Sequence, residues 1–195
     1  MAGCQAPKKR DLSANPEIYV YTEFASEAPA AHPVFVARPK DRRAETKTAV
    51  EATGPFPVTI FPDAIWERGV TGMIEDVVTT ELRESRVFPE VVESRSASAY
   101  TLQIEIVKFY SAVREQLSGG RSFSEAEFLV KVFAPGAAAT ATPVFHRNFA
   151  SRQSTGWKLQ PTDPRLLLGR CTRDVIGQLL VALDEADLVT PATGN

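Results

Sequence analysis

Few side chains in this 195-residue sequence are of types that do chemistry. The thiols are Cys4 and Cys171, the imidazoles are His32 and His146, and Glu75-Asp76 is an adjacent carboxylate pair. Neighbouring positions on a helix point in different directions, so Glu75 and Asp76 make a poor acid–base pair and read as solvated. The histidines lie far apart, without Cys, Asp or Glu at metal-ligand spacing, so neither a metal site nor a cofactor is expected. His146, between Phe145 and Arg147, reads as a surface or core-edge residue. Cys171 falls on the apolar stripe of a helix and reads as a small buried hydrophobe rather than a nucleophile. The sequence contains no Gly-x-Ser-x-Gly elbow, Walker loop, dinucleotide glycine fingerprint or Cys-x-x-Cys pair. No catalytic residue is assigned, and the chain reads as non-enzymatic.

Cys4 has a different context. Met1-Ala2-Gly3-Cys4 resembles a bacterial lipobox, the site at which a signal peptide is cut and the cysteine acylated. Met1 stands where leucine is usual, so the reading expects translation to begin upstream, with a basic start and about 7–15 apolar residues. Gln5 to Asp11 would then be a polar tether, and the multiple acyl chains of such a modification, palmitate among them, would hold the chain firmly on a bilayer. Acylation of Cys4 leaves Cys171 as the remaining thiol and no disulfide.

Composition narrows the partners. With 22 basic and 24 acidic side chains, the charges are balanced, and only Lys8-Lys9-Arg10 forms a block. Nucleic-acid affinity would need a concentrated basic surface, so no such partner is expected. No window holds the 18 or more apolar residues of a membrane span. The length fits one domain with a tail, or at most two small domains.

The elements follow from periodicity. Residues 1–32 read as lipobox remnant and flexible tether or peripheral segment, residues 33–188 as a single αβ domain, and residues 189–195 as a disordered tail. Short strands are expected at Pro33–Arg38 and Val58–Phe61, with a charged loop from Lys40 to Thr48 that has little to bury. Val70, Met73, Ile74, Val77, Val78 and Leu82 form one helical stripe, with Asp63 a possible cap for an early turn containing Trp66. Phe88–Glu93 reads as a brief strand.

Alternation then predicts a meander: Tyr100, Leu102, Ile104 and Ile106 in one strand with a bulge at Lys108-Phe109-Tyr110, Ala126 to Val132 in the second after a Gly119-Gly120 turn, and Pro143–Ser151 in the third. Asp163-Pro164 opens a second helix whose stripe runs through Leu168, Cys171, Val175, Ile176, Leu179, Leu180 and Leu183. The fold class expected is α+β, one mainly antiparallel sheet with two amphipathic helices on one face. Ile74, Val78, Leu82, Ile104, Phe128, Ile176 and Leu180 should share its core.

The other sheet face is expected to carry Val107, Phe109, Leu129, Phe133, Phe145 and Phe149, more apolar surface than water tolerates. Either the Tyr19–Phe24 segment or the Pro33–Arg38 strand covers it, or it docks a protein partner or an acyl chain.

In element order, the chain resembles the small αβ lipoproteins of the bacterial envelope: the auxiliary lipoprotein of ABC-type transport systems, the lipopolysaccharide-assembly lipoprotein, and the amino-terminal domain of TolB. The resemblance rests on Met1–Cys4, on Trp66 with the following helix and Arg86-Val87-Phe88-Pro89-Glu90-Val91-Val92, and on the strand Ala99–Ile106, and spans about Val58 to Leu188. It implies a lipid-anchored accessory subunit of a transport or outer-membrane assembly system, facing the periplasm, with the outer membrane preferred over the inner in a Gram-negative cell. The alternative is a periplasmic domain that binds a lipid or small ligand.

Overall fold

The computed structural model describes residues 11–20, 23–43, 58–61, 63, 66–116, 119–138, 140–156, 164–186 and 188. Cys4, Asp163 and the tail from residue 189 lie outside them. After a 3-10 turn at Pro16–Ile18 come strands β1 (Val34–Val36), β2 (Lys40–Asp41) and β3 (Val58–Ile60), and helix α1 (Val70–Ser85). Strands β4 (Val91–Val92), β5 (Tyr100–Gln116), β6 (Gly119–Phe133) and β7 (Phe145–Ser154) follow, then helix α2 (Pro164–Asp184).

The fold is α+β, as the periodicities predict, but the sheet is mixed. Its order is β4-β1-β5-β6-β7, with β2 and β3 also paired to β5. The antiparallel meander β5-β6-β7 is the centre. Along the free edge of β5, β1 and β2 pair in parallel and β3 antiparallel, and α1 supplies the crossover that the parallel pairing of β1 with β5 requires. The 17-residue β5 is long enough to template all three short strands.

Both helices bury one stripe against the same sheet face. In α1 the buried positions are Val70, Met73, Ile74, Val77, Val78, Glu81, Leu82 and Ser85, a helical spacing throughout. The helix ends at Arg86, which takes the left-handed conformation (φ 57°) common at helix C-termini, and Ser26 N–H donates to the Ser85 carbonyl at 2.8 Å. The helix proper begins at Val70 with Gly69 as its N-cap; ahead of it Trp66 N–H donates to the Asp63 backbone carbonyl at 2.9 Å, while the Asp63 carboxylate is bound to Arg43. The seven expected core residues share one cluster, each at most 1% exposed.

Residues 11–20 pack against the domain. Leu12, Ile18 and Val20 are buried with both helices, and Val20 N–H donates to the buried Glu81 carboxylate of α1. Gly169 lets this segment approach α2: a Cβ there would sit 3.3 Å from Ile18 Cγ2. Tyr19 and Phe24 also lean on this cluster, so neither side chain covers the helix-free sheet face, and the Pro33–Arg38 strand pairs edge-on with β5 instead of covering it.

Candidate functional site

The six apolar residues expected on one uncovered face are divided between two. The register slips between Ile106 and Lys108, leaving Val107 as the extra residue of a bulge. That slip reverses side-chain parity, so Phe109 pairs with Ala126 and joins the covered face, 2% exposed and 6.5 Å from the ring centroid of Phe128. In β7, Phe149 pairs with Phe128 and Phe145 with Val132, which turns both toward the helices. Phe149 is buried, Phe145 is half-buried, and their rings stack at 6.3 Å.

Leu129 and Phe133 remain on the helix-free face. Phe133 pairs with Thr101, Thr101 with Phe35 of β1, and Phe35 with Val92 of β4, so Phe133, Phe35 and Val92 share that face, all half-buried. Phe35 and Val92 were missed in the sequence because only long-range pairing sets their parity.

Around them the face is a lattice of ion pairs. Glu105 accepts from Lys131 (3.1 Å) and from Arg42 (2.9 Å), while Lys108 bridges Glu125 (3.0 Å) and Glu127 (2.8 Å). Burial alone would raise the Glu105 carboxyl, but the Lys131 hydrogen bond and the charges of Lys131 and Arg42 hold it below the ordinary carboxylate range. The Glu127 hydrogen bond holds the Lys108 ammonium above its ordinary value. Burial, and then donation to Glu125, push the Tyr110 hydroxyl up. Arg152 lies over the Phe123 ring at 5.6 Å.

A second charged centre lies in the stretch read as an unburied loop. Arg43 is 6% exposed, and its guanidinium binds Asp41, Asp63 and the Phe109 carbonyl. Burial would lower its affinity for the proton, yet the two aspartates raise it, so Arg43 stays charged. Beside it, at the start of α1, lies a cleft of about 380 Å³ that includes Trp66, Arg68 and Thr71. A larger groove, about 470 Å³, lies beside β1 and β4, with Phe35, Val36, Val91 and Val92 as its apolar part and Glu75, Asp76, Arg38 and Arg83 among its polar lining.

The remaining chemical candidates stay apart. His32 meets Tyr100 edge-on at 5.8 Å, while His146 is exposed on β7. Asp76 pairs with Arg68. Cys171 is fully buried, its Sγ 3.3 Å from the Ser124 carbonyl, and burial pushes its thiol up to about 11, which leaves it protonated and unreactive at neutral pH. Among the described residues, no group of three or more His, Cys, Asp or Glu could hold a metal ion. Nor is any described helix long and apolar enough to cross a membrane.

No protein-family model matches this chain, and no curated protein matches it significantly. Among solved structures, it is similar to an uncharacterized protein with a TM-score of 0.46 and 10% identity, over 91% of this chain and 97% of that one. A homolog of the neuraminyllactose-binding hemagglutinin from Helicobacter pylori gives a TM-score of 0.45 and 12% identity, over 84% of this chain and 88% of that one.

Proposed function

We propose that this chain is a non-enzymatic accessory domain of the bacterial cell envelope, lipid-anchored through Cys4, that docks a protein partner of a transport or outer-membrane assembly system. The observation that carries this reading is the spacing between the lipobox-like Met1–Cys4 and Leu12, the first buried side chain among the described residues. Cys4 and Leu12, eight positions apart, can be separated by at most about 28 Å, so a lipid on Cys4 would keep the domain close to the headgroups. Partner docking is supported by the half-buried Phe133, Phe35 and Val92 in one row across the helix-free face, with half-buried Leu129 further along β6 and the ion pairs of Glu105 beside them, the mix of apolar and charged groups that docking surfaces carry.

The groove at β1 and β4 favours a second reading, a domain that binds a lipid or small ligand. Its volume lies within the range of about 300–1,000 Å³ that such ligands occupy.

The experiment expresses the gene from its own locus. Cys4→Ala should move the protein from the membrane pellet to the soluble fraction, and unchanged fractionation would sink the anchor. Phe133→Asp should keep membrane association and melting temperature while losing the co-purifying complex. A variant retaining every co-purifying protein would remove this face as the docking site. Native mass spectrometry finding a bound lipid in the wild-type chain would favour the second reading.

A further inference from the structure

Strand β7 ends the sheet, paired to β6 on one side and to no other described strand. Thr155 N–H donates to the Ser122 carbonyl at 2.9 Å, which fixes the odd-numbered positions of β7 as those bonded to β6. The N–H and C=O groups of His146, Asn148, Ala150 and Arg152 therefore point away from β6, along an edge that no other described strand pairs. Among the described residues, Phe145–Ser154 lacks the usual protections of an edge: its pairing with β6 shows no register shift there, and the strand holds no proline or lysine. Its arginines do not guard it either, because Arg147 lies over the Phe145 ring at 5.8 Å and Arg152 over Phe123.

We propose that this edge is an interface with a second copy of the chain, β7 pairing antiparallel with β7 of its partner about a two-fold axis at Ala150. Charge complementarity selects that occupant. Asp174 of α2 accepts from both Ser151 (2.9 Å) and Gln153 (2.7 Å), fixing a carboxylate above one half of β7. Arg147, in the other half, makes no ion pair among the described residues. An axis at Ala150 sets each Gln153 opposite an Arg147 of the other copy, so each Asp174 receives that guanidinium. The smallest side chain of the strand lies on the axis, and no arginine faces another.

Helix spacing agrees. Because α2 lies over both β6 and β7, the two copies of α2 would run about two strand spacings apart, about 10 Å, the distance at which helices pack. Facing that axis are Arg170, Asp174, Gln178 and Val181 of α2 and Glu185 just past its end, whose N–H still donates to the Val181 carbonyl; all are exposed, and Gln178 reaches the outward carbonyl of Ala150. Val181, at 42%, is one of two large hydrophobic side chains exposed among the described residues. Antiparallel about Gln178, Arg170 of one helix meets Glu185 of the other. A partner strand from a different protein would satisfy the edge amides but not these reciprocal charges.

Sedimentation equilibrium of the 195-residue chain in reducing buffer tests this. The wild type should have twice the chain mass. Ala150→Pro removes an outward N–H that the β6 ladder does not use, and Arg147→Asp opposes Asp174. Each should yield a monomer at the same concentration with its circular-dichroism melt unchanged. Combining Arg147→Asp with Asp174→Arg should restore the dimer. A wild-type monomer at every concentration, a dimer that survives both single variants, or a charge swap that stays monomeric would each overturn the interface. Arg147 and Asp174 are exposed, so these variants keep the test valid if Ala150→Pro fails to fold.

Discussion

Arg43 and Asp63, twenty positions apart, meet in a two-point ion pair, Nη1 to Oδ1 at 2.9 Å and Nη2 to Oδ2 at 2.8 Å. The guanidinium side chain is 8% exposed, whereas Asp63 is 46% exposed and Asp41, its second partner, 40%. The asymmetry predicts which deletion hurts. Arg43→Met leaves two carboxylates that water can reach, and should cost about 1 kcal/mol. Asp41→Asn with Asp63→Asn strands a buried cation and should cost about 3–5 kcal/mol. Urea denaturation of both variants checks the order, and an equal loss would show that the buried charge is not the controlling element.

Glu105 should make the fold acid-sensitive. Its carboxyl is lowered in the folded chain, so its contribution is complete above the ordinary value of 4.5 and disappears as the pH falls through the lowered folded value. Glu105→Gln should cost about 1 kcal/mol at neutral pH, since Arg42 is largely exposed and its attraction is screened. The variant and wild type should converge in stability below the folded-state value. Denaturant midpoints measured across that range check this, and a gap independent of pH would assign the loss to packing.

Leu180 tests the helix-on-sheet core. It is 1% exposed within the shared cluster of α1, α2 and the meander, and Leu180→Ala should cost about 2–5 kcal/mol. Val181→Ala, its exposed neighbour, should change the stability of the isolated chain by less than about 0.5 kcal/mol. Paired thermal melts compare the two, and equal losses would contradict the placement of the stripe.

Local signals in the sequence determined the two helices and the meander. The stripes through Val70–Leu82 and Leu168–Leu183 and the alternation of Tyr100–Ile106 are properties of near neighbours, so periodicity alone exposes them. The candidate surface was not legible in the same way. One extra residue between Ile106 and Lys108 sends Phe109 to the core, and the β6-β7 register sends Phe145 and Phe149 beneath the helices. A strand's parity inverts with a single-residue slip, and the pairing that fixes it joins residues tens of positions apart. The same holds for Arg43, whose flanking charges read as a solvated loop until folding brought Asp63 and the Phe109 carbonyl against it. Tertiary pairing decided that a charge could be buried there, because only the assembled partners offset its lost hydration.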